Sequence, residues 1–122
     1  MSRSTLAAAA LLFGGLLGLP TASMGQGSPV VVRVPVTGVI EMGLAPFIER
    51  SIREAEETGA AAIILDVDTP GGRVDAAERI ADAISDSEVP IYAFVNRRAF
   101  SAGAMISLAT QRIYMRPGSV IG

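Results

Sequence analysis

An α/β domain built on a parallel sheet is the fold class this sequence predicts, and three observations predict it. Apolar stretches of strand length alternate with amphipathic stretches of helix length in the order β-α-β-α-β-α-β. The strand-like stretches are nearly continuous in apolar residues, as strands buried beneath helices are. Two glycine-containing strings, Thr69-Pro70-Gly71-Gly72 and Phe100-Ser101-Ala102-Gly103-Ala104, each fall where a strand hands over to a helix.

The elements follow in order. Val30–Ile40 is dominated by β-branched residues and reads as a strand, with Pro35 at an edge or bulge position and Gly38 at a turn. From Leu44 the period changes. Leu44, Phe47, Ile48, Ile52 and Ala55 share one helical face, opposite Glu49, Arg50, Arg53, Glu54 and Glu57. Pro46 suits the first turn of that helix and Gly59 its C-terminal cap. Ala60–Val67 is the next buried strand, and Asp75–Ser87 repeats the helical pattern through Ala76, Ala77, Ile80, Ala81 and Ile84. Val89–Val95 is a third strand, Ala102–Thr110 a third helix, and Ile113–Met115 opens a fourth strand. Val120-Ile121 begins a further apolar segment with no following partner, so these residues are expected to be the N-terminal part of a longer domain.

The first residues read differently. Met1–Ser23 has the anatomy of a secretory signal, with Arg3 as its only charge, an apolar run over Leu6–Leu19, and small residues after Pro20. That run of fourteen residues is shorter than the roughly 18 of a membrane-spanning helix. Cleavage after Ser23 and after Gly25 fit equally, and an uncleaved anchor is the alternative. Residues 24–29 are then expected to form a linker and residues 30–122 the N-terminal part of one domain. The expected location is exported, in the periplasm or on the extracytoplasmic face of the membrane. The chain has no cysteine, so an exported domain must hold together by its core, by more chain or by oligomer contacts. A net charge of −2, with arginines scattered among acids, gives no nucleic-acid surface.

The chemistry centres on the two strings. A Gly-Gly turn at a strand's end can aim bare backbone N–H groups into a pocket. Ser101 sits at the positive end of a helix, where a developing oxyanion is stabilised. Nucleophile and anion site together are half of an acyl-transfer centre. The base is the missing half. The chain has no His, and all ten of its basic residues are Arg, whose guanidinium stays protonated. An ordinary carboxylate matches a serine hydroxyl poorly. Either the base lies beyond Gly122 or the chain is not an enzyme.

With the motifs placed, the chain resembles the Clp-protease-like serine peptidases, in particular the membrane-bound NfeD family of stomatin-operon partners. The resemblance covers Val30 to Gly122 and is strongest in Leu65–Asp75, Phe94–Ile106 and Met115–Gly122. It implies the crotonase/ClpP-like right-handed ββα spiral, incomplete here at its C-terminal end. It implies Ser101 as nucleophile, and Gly71, Gly72 and Ala102 as the positions of the oxyanion hole. It further implies a lysine base after the Pro117–Gly122 stretch, membrane association through C-terminal segments, and self-association. No cofactor and no metal are implied. The implied substrate is an apolar segment of a membrane-associated, stomatin-like protein.

Other readings stand beside these. Ser101 could simply cap its helix, and Gly71-Gly72 could be a plain turn; the spacing of a phosphate-binding loop is missing. Asp66 and Asp68 could suggest a metal, but no third ligand is placed to join them, and a capping or turn role is expected. Arg97 and Arg98 read either as a solvated loop pair or as holders of a substrate carboxylate or backbone. Ser107 and Ser119 read as ordinary helix and turn serines, and Met42, Met105 and Met115 as core filler. Three function classes follow: a serine peptidase, a catalytically inactive membrane-protein scaffold of the same fold, and an acyl-CoA enzyme of the crotonase type.

Overall fold

The structure, a computed structural model, describes residues 27–122 and, outside that span, only Gly15 and Gly18. The expected signal over Met1–Ser23 lies outside the described residues. The chain order is β1 (Val31–Thr37), α1 (Leu44–Glu57), β2 (Ala62–Thr69), α2 (Val74–Asp86), β3 (Ile91–Ala99), α3 (Ala102–Leu108), β4 (Arg112–Met115) and β5 (Val120–Ile121). The strands lie in the order β1-β2-β3-β4, every pairing is parallel, and β5 joins β3 beyond the end of β4.

Strands that follow one another in both sequence and space, joined by right-handed crossovers, place all their helices on one face. That face holds the core. Val34, Val36, Ile63, Leu65, Val67, Ile91, Ala93 and Val95 are buried there together with Ala45, Ile48 and Ile52 of α1, Ile80 of α2 and Ile106 of α3. Ile80 is fully buried; truncating such a side chain to alanine costs about 2–5 kcal/mol. Among the described residues the opposite face has no helix. Residues of β1 alternate between exposed and buried, so the near-continuous apolar strands are covered on one side only.

Local chemistry explains the boundaries. α1 ends in a Schellman cap, where Gly59 at φ 67° donates to the Glu56 carbonyl and Ala60 donates to that of Ala55. β1 stops at Thr37, short of the expected Ile40, because Gly38 at φ 78° turns the chain out of the sheet. Ile40 instead forms an isolated parallel bridge with Gly72. β3 runs past the expected Val95 to Ala99, with a break in register. Val67 faces Val95 but Thr69 faces Ala99, so Asn96, Arg97 and Arg98 form an arched bulge opposite Asp68. Arg97 and Arg98 are therefore strand residues, not a loop pair. Val120-Ile121 does find a partner, pairing with Arg98 and Ala99.

Two further expectations are corrected. Asp66 neither caps nor turns; it lies within β2, where its carboxylate accepts bonds from Arg33 and from Asn96 Nδ2 at 3.2 Å. Met42, Met105 and Met115 are exposed rather than core. They lie on the turn before α1, on the outer side of α3 and at the end of the short outer strand β4.

Candidate functional site

The handover from β3 to α3 puts Ser101 in an unusual backbone conformation, φ 51° and ψ −117°. Among the described residues it is the only non-glycine with positive φ. Such a conformation costs of order 1–3 kcal/mol and persists only when the surroundings fix it. Here they do. The Ser101 N–H donates to the Gly122 carbonyl at 2.7 Å, Phe100 N–H to the Thr69 carbonyl at 3.2 Å, and Gly103 N–H to the Phe100 carbonyl at 2.8 Å. Ser101 takes the N-cap position of α3, yet its side chain makes no capping bond. The simple capping reading fails, and the hydroxyl stays exposed.

The glycine turn lies directly against this serine. A Cβ on Gly71, whose φ is 104°, would stand 2.9 Å from both the Phe100 carbonyl oxygen and the Ser101 Cβ, and 3.5 Å from Ser101 Oγ. A Cβ on Gly72 would strike the peptide of Ile40, 2.6 Å from its nitrogen. Ile40 grips the turn from the other side. Its N–H donates to the Gly71 carbonyl at 2.9 Å, and its carbonyl accepts the Arg73 N–H at 2.8 Å.

The backbone N–H groups divide accordingly. That of Gly71 is engaged with Thr69 Oγ1 at 3.0 Å. Those of Gly72 and Ala102 meet no acceptor among the described residues. Gly72 is exposed in a turn that abuts Ser101, so its N–H is a donor available to a ligand; Ala102, which follows the serine, is buried.

Thr69 organises the turn and was missed from sequence. It is fully buried. Its hydroxyl donates to the Gly38 carbonyl at 2.6 Å while accepting the Gly71 N–H, which ties the ends of β1 and β2 together. A threonine two residues before a glycine is an ST-turn signal in the sequence. Gly103 matters as well, since a Cβ on it would press into Thr69 Cγ2.

The charged neighbours offer no base for the serine. Arg73, next to Gly72, holds Asp75 in a two-pronged pair at 2.9 and 2.6 Å. That pair keeps the Asp75 carboxyl below its ordinary range and raises the Arg73 guanidinium. Arg98 reaches Asp68 only at 3.6 Å, leaving the buried Asp68 Oδ1 without a hydrogen bond. Ser107 is buried and bonds back to the Gly103 carbonyl at 2.8 Å, as an ordinary helix serine does. Among the described residues no three His, Cys, Asp or Glu side chains come together to hold a metal.

This architecture is that of the ClpP-like peptidases. A mutant ClpP1 from Listeria monocytogenes superposes with a TM-score of 0.69 at 24% identity, over 73% of this chain and 54% of that one. The NfeD1b N-terminal domain matches residues 30–122, and the chain belongs to that family. Membrane protein NfeD1b of Bacillus subtilis is 46% identical over 107 residues, 88% of this chain and 24% of that protein. Membrane-bound protease PH1510 of Pyrococcus horikoshii is 43% identical over 77 residues, 61% of this chain and 18% of that protein. The chain thus spans a quarter or less of these curated relatives. A lysine-to-alanine mutant of the 1510-N membrane-bound stomatin-specific protease, in complex with a substrate peptide, superposes with a TM-score of 0.75 at 36% identity, covering 79% of this chain and 45% of that chain.

Proposed function

We propose that the native protein is a serine endopeptidase that cuts apolar segments of membrane-associated proteins, of the stomatin-like kind, on the extracytoplasmic side of the membrane. The observation that carries the reading is Ser101, strained, exposed and uncapped, against a glycine turn with an unpaired N–H. Ser101 Oγ attacks the peptide carbonyl carbon as its proton passes to the base. The Gly72 and Ala102 N–H groups receive the oxyanion, each worth about 3–4 kcal/mol when well placed. Gly71 serves by lacking a Cβ where one would meet the serine. Collapse of the intermediate expels the amine with the proton from the base, and water then releases the acyl group.

The base is a lysine supplied by residues outside these 122, which hold neither Lys nor His. Such a lysine must be neutral near pH 7, so apolar burial has to lower its pKa. The lysine mutant of the stomatin-specific relative supports this reading, and the names of the relatives support the substrate class. The expected signal in Met1–Ser23 supports the location.

Peptide hydrolysis by the native protein and by its Ser101→Ala variant tests the assignment. Turnover should vanish in the variant while apolar peptides still bind. The reading that would replace the peptidase is the catalytically inactive scaffold of the same fold. It stands if the native protein binds membrane partners and never cleaves, with or without Ser101.

A further inference from the structure

The arched end of β3 gathers positive charge beside the serine. Arg97 and Arg98 on the bulge and Arg116 after β4 line one cleft of about 550 Å³ with Phe100 and Val120. No Asp or Glu lines it, although the chain as a whole carries a net charge of −2. The other paired arginines are neutralised at close range, Arg33 by Asp66, Arg73 by Asp75 and Arg79 by Glu49. Of the cleft arginines only Arg98 has a carboxylate within 4 Å among the described residues. Arg97 has no carboxylate partner among the described residues. Arg98 stands 3.6 Å from Asp68, beyond hydrogen-bond reach, and Arg116 donates only to the neutral Asn96 amide at 3.1 Å.

The cleft also offers apolar surface and an unused polar atom. Phe100 is 37% exposed and Val120 52%. The hydroxyl of Ser119 is buried in its wall without a hydrogen-bond partner. Phe100 directly precedes Ser101, and the Ser101 N–H bonds the Gly122 carbonyl, so cleft and serine share a wall. Three guanidinium groups with a single carboxylate near them, that of Asp68 beside Arg98, leave an excess of positive charge that an anion would offset. A carboxylate also matches the planar fork of an arginine in two-pronged geometry.

We infer that this cleft is a carboxylate-binding subsite of the peptide groove, selecting substrates in which an acidic group flanks the apolar segment. The inference rests on the peptidase reading for its position beside the scissile bond. Two sources carry the same chemistry, an Asp or Glu side chain and a free peptide C-terminus.

Binding separates them. Three fluorescent peptides share one apolar segment in the Ser101→Ala form of the native protein: one with Glu and an amidated end, one with Gln and an amidated end, one with Gln and a free carboxylate. At least one carboxylate peptide should bind about tenfold tighter than the neutral peptide at low salt. The advantage should shrink between roughly 50 mM and 500 mM salt. Arg97→Gln should remove the advantage, and Arg97→Glu should make the neutral peptide the best ligand. Whichever carboxylate responds identifies the source. Equal binding of all three peptides, or a preference that survives Arg97→Glu, overturns the inference. Labelling of Ser101 by a fluorophosphonate in the native protein keeps the two readings apart. Carboxylate preference without labelling removes the peptidase and leaves the subsite; labelling without preference does the reverse.

Discussion

Ser101 holds a backbone conformation that glycine adopts freely, and it does so without using its hydroxyl to cap α3. A Ser101→Gly substitution should therefore abolish turnover while leaving the chain as stable as before or about 1 kcal/mol more stable. Urea denaturation of both forms decides this, and a clear loss of stability would mean the hydroxyl has a structural role. Thr69 runs the other way. Thr69→Val keeps the shape but removes the oxygen shared by Gly38 and Gly71, leaving the Gly71 N–H buried and unpaired. It should cost about 1–3 kcal/mol, and it should lower turnover of the native protein even at temperatures where the fold is intact. Gly72→Ala should be worse still. The atom it meets is backbone of Ile40, which cannot swing away, so a loss of about 3 kcal/mol is expected in the same denaturation measurement.

At the scale of elements, regular periodicity was readable and interruptions of it were not. The helices declared themselves because α1 and α2 bury every third or fourth residue, Ala45, Ile48, Ile52 and Ala55 on one and Ala76, Ala77, Ile80 and Ile84 on the other. The end of β3 was hidden. Asn96-Arg97-Arg98 reads as a polar loop, and only its register against Asp68 makes it a bulge within a strand. Asp66 was misjudged for a related reason: its partners Arg33 and Asn96 come from the strands on either side, which sequence spacing does not reveal. The glycine turn and Ser101 were legible because each needs an unusual backbone that marks itself by residue type; the roles of Thr69 and Ile40 depend on contacts between strands. The same logic governs the bond between α1 and α2. Glu49 accepts from Arg79 Nε and Nη2 at 2.5 and 2.7 Å, which holds the Glu49 carboxyl below its ordinary value of 4.5. A carboxyl depressed on folding adds stability above its unfolded pKa and loses it as pH falls through the folded pKa. The melting-temperature gap between wild type and Glu49→Gln should be widest near neutral pH and close as the solution is acidified below the usual carboxylate range. A gap independent of pH would show that the ion pair contributes nothing. Added salt should narrow the gap as well, since both side chains are partly exposed.

Among the described residues the sheet has one covered face and one bare one. Across those residues the sheet order β1-β2-β3-β4, with α1, α2 and α3 packed side by side on one face, leaves the opposite face to side chains alone. There Val31, Ile64, Tyr92, Phe94 and Tyr114 line a groove of about 630 Å³, with the rings of Tyr92 and Tyr114 edge to face at 6.2 Å. Parallel sheets are stable when both faces are covered, and a contiguous apolar patch of this kind drives association. In a preparation that contains only residues 27–122, a second copy is the one available cover. The isolated chain is therefore expected to self-associate, with sedimentation coefficients that rise with concentration, and to bind a hydrophobic dye. Tyr114→Glu is the informative change, because Tyr114 is 53% exposed on the four-residue strand β4 and its loss removes no core packing. It should shift the population towards monomer and weaken dye binding while leaving the helical signal in circular dichroism unchanged. If the unmodified chain instead sediments as a monomer at every concentration, melts cooperatively and ignores the dye, the bare face is stable in water and self-association has another cause or does not occur.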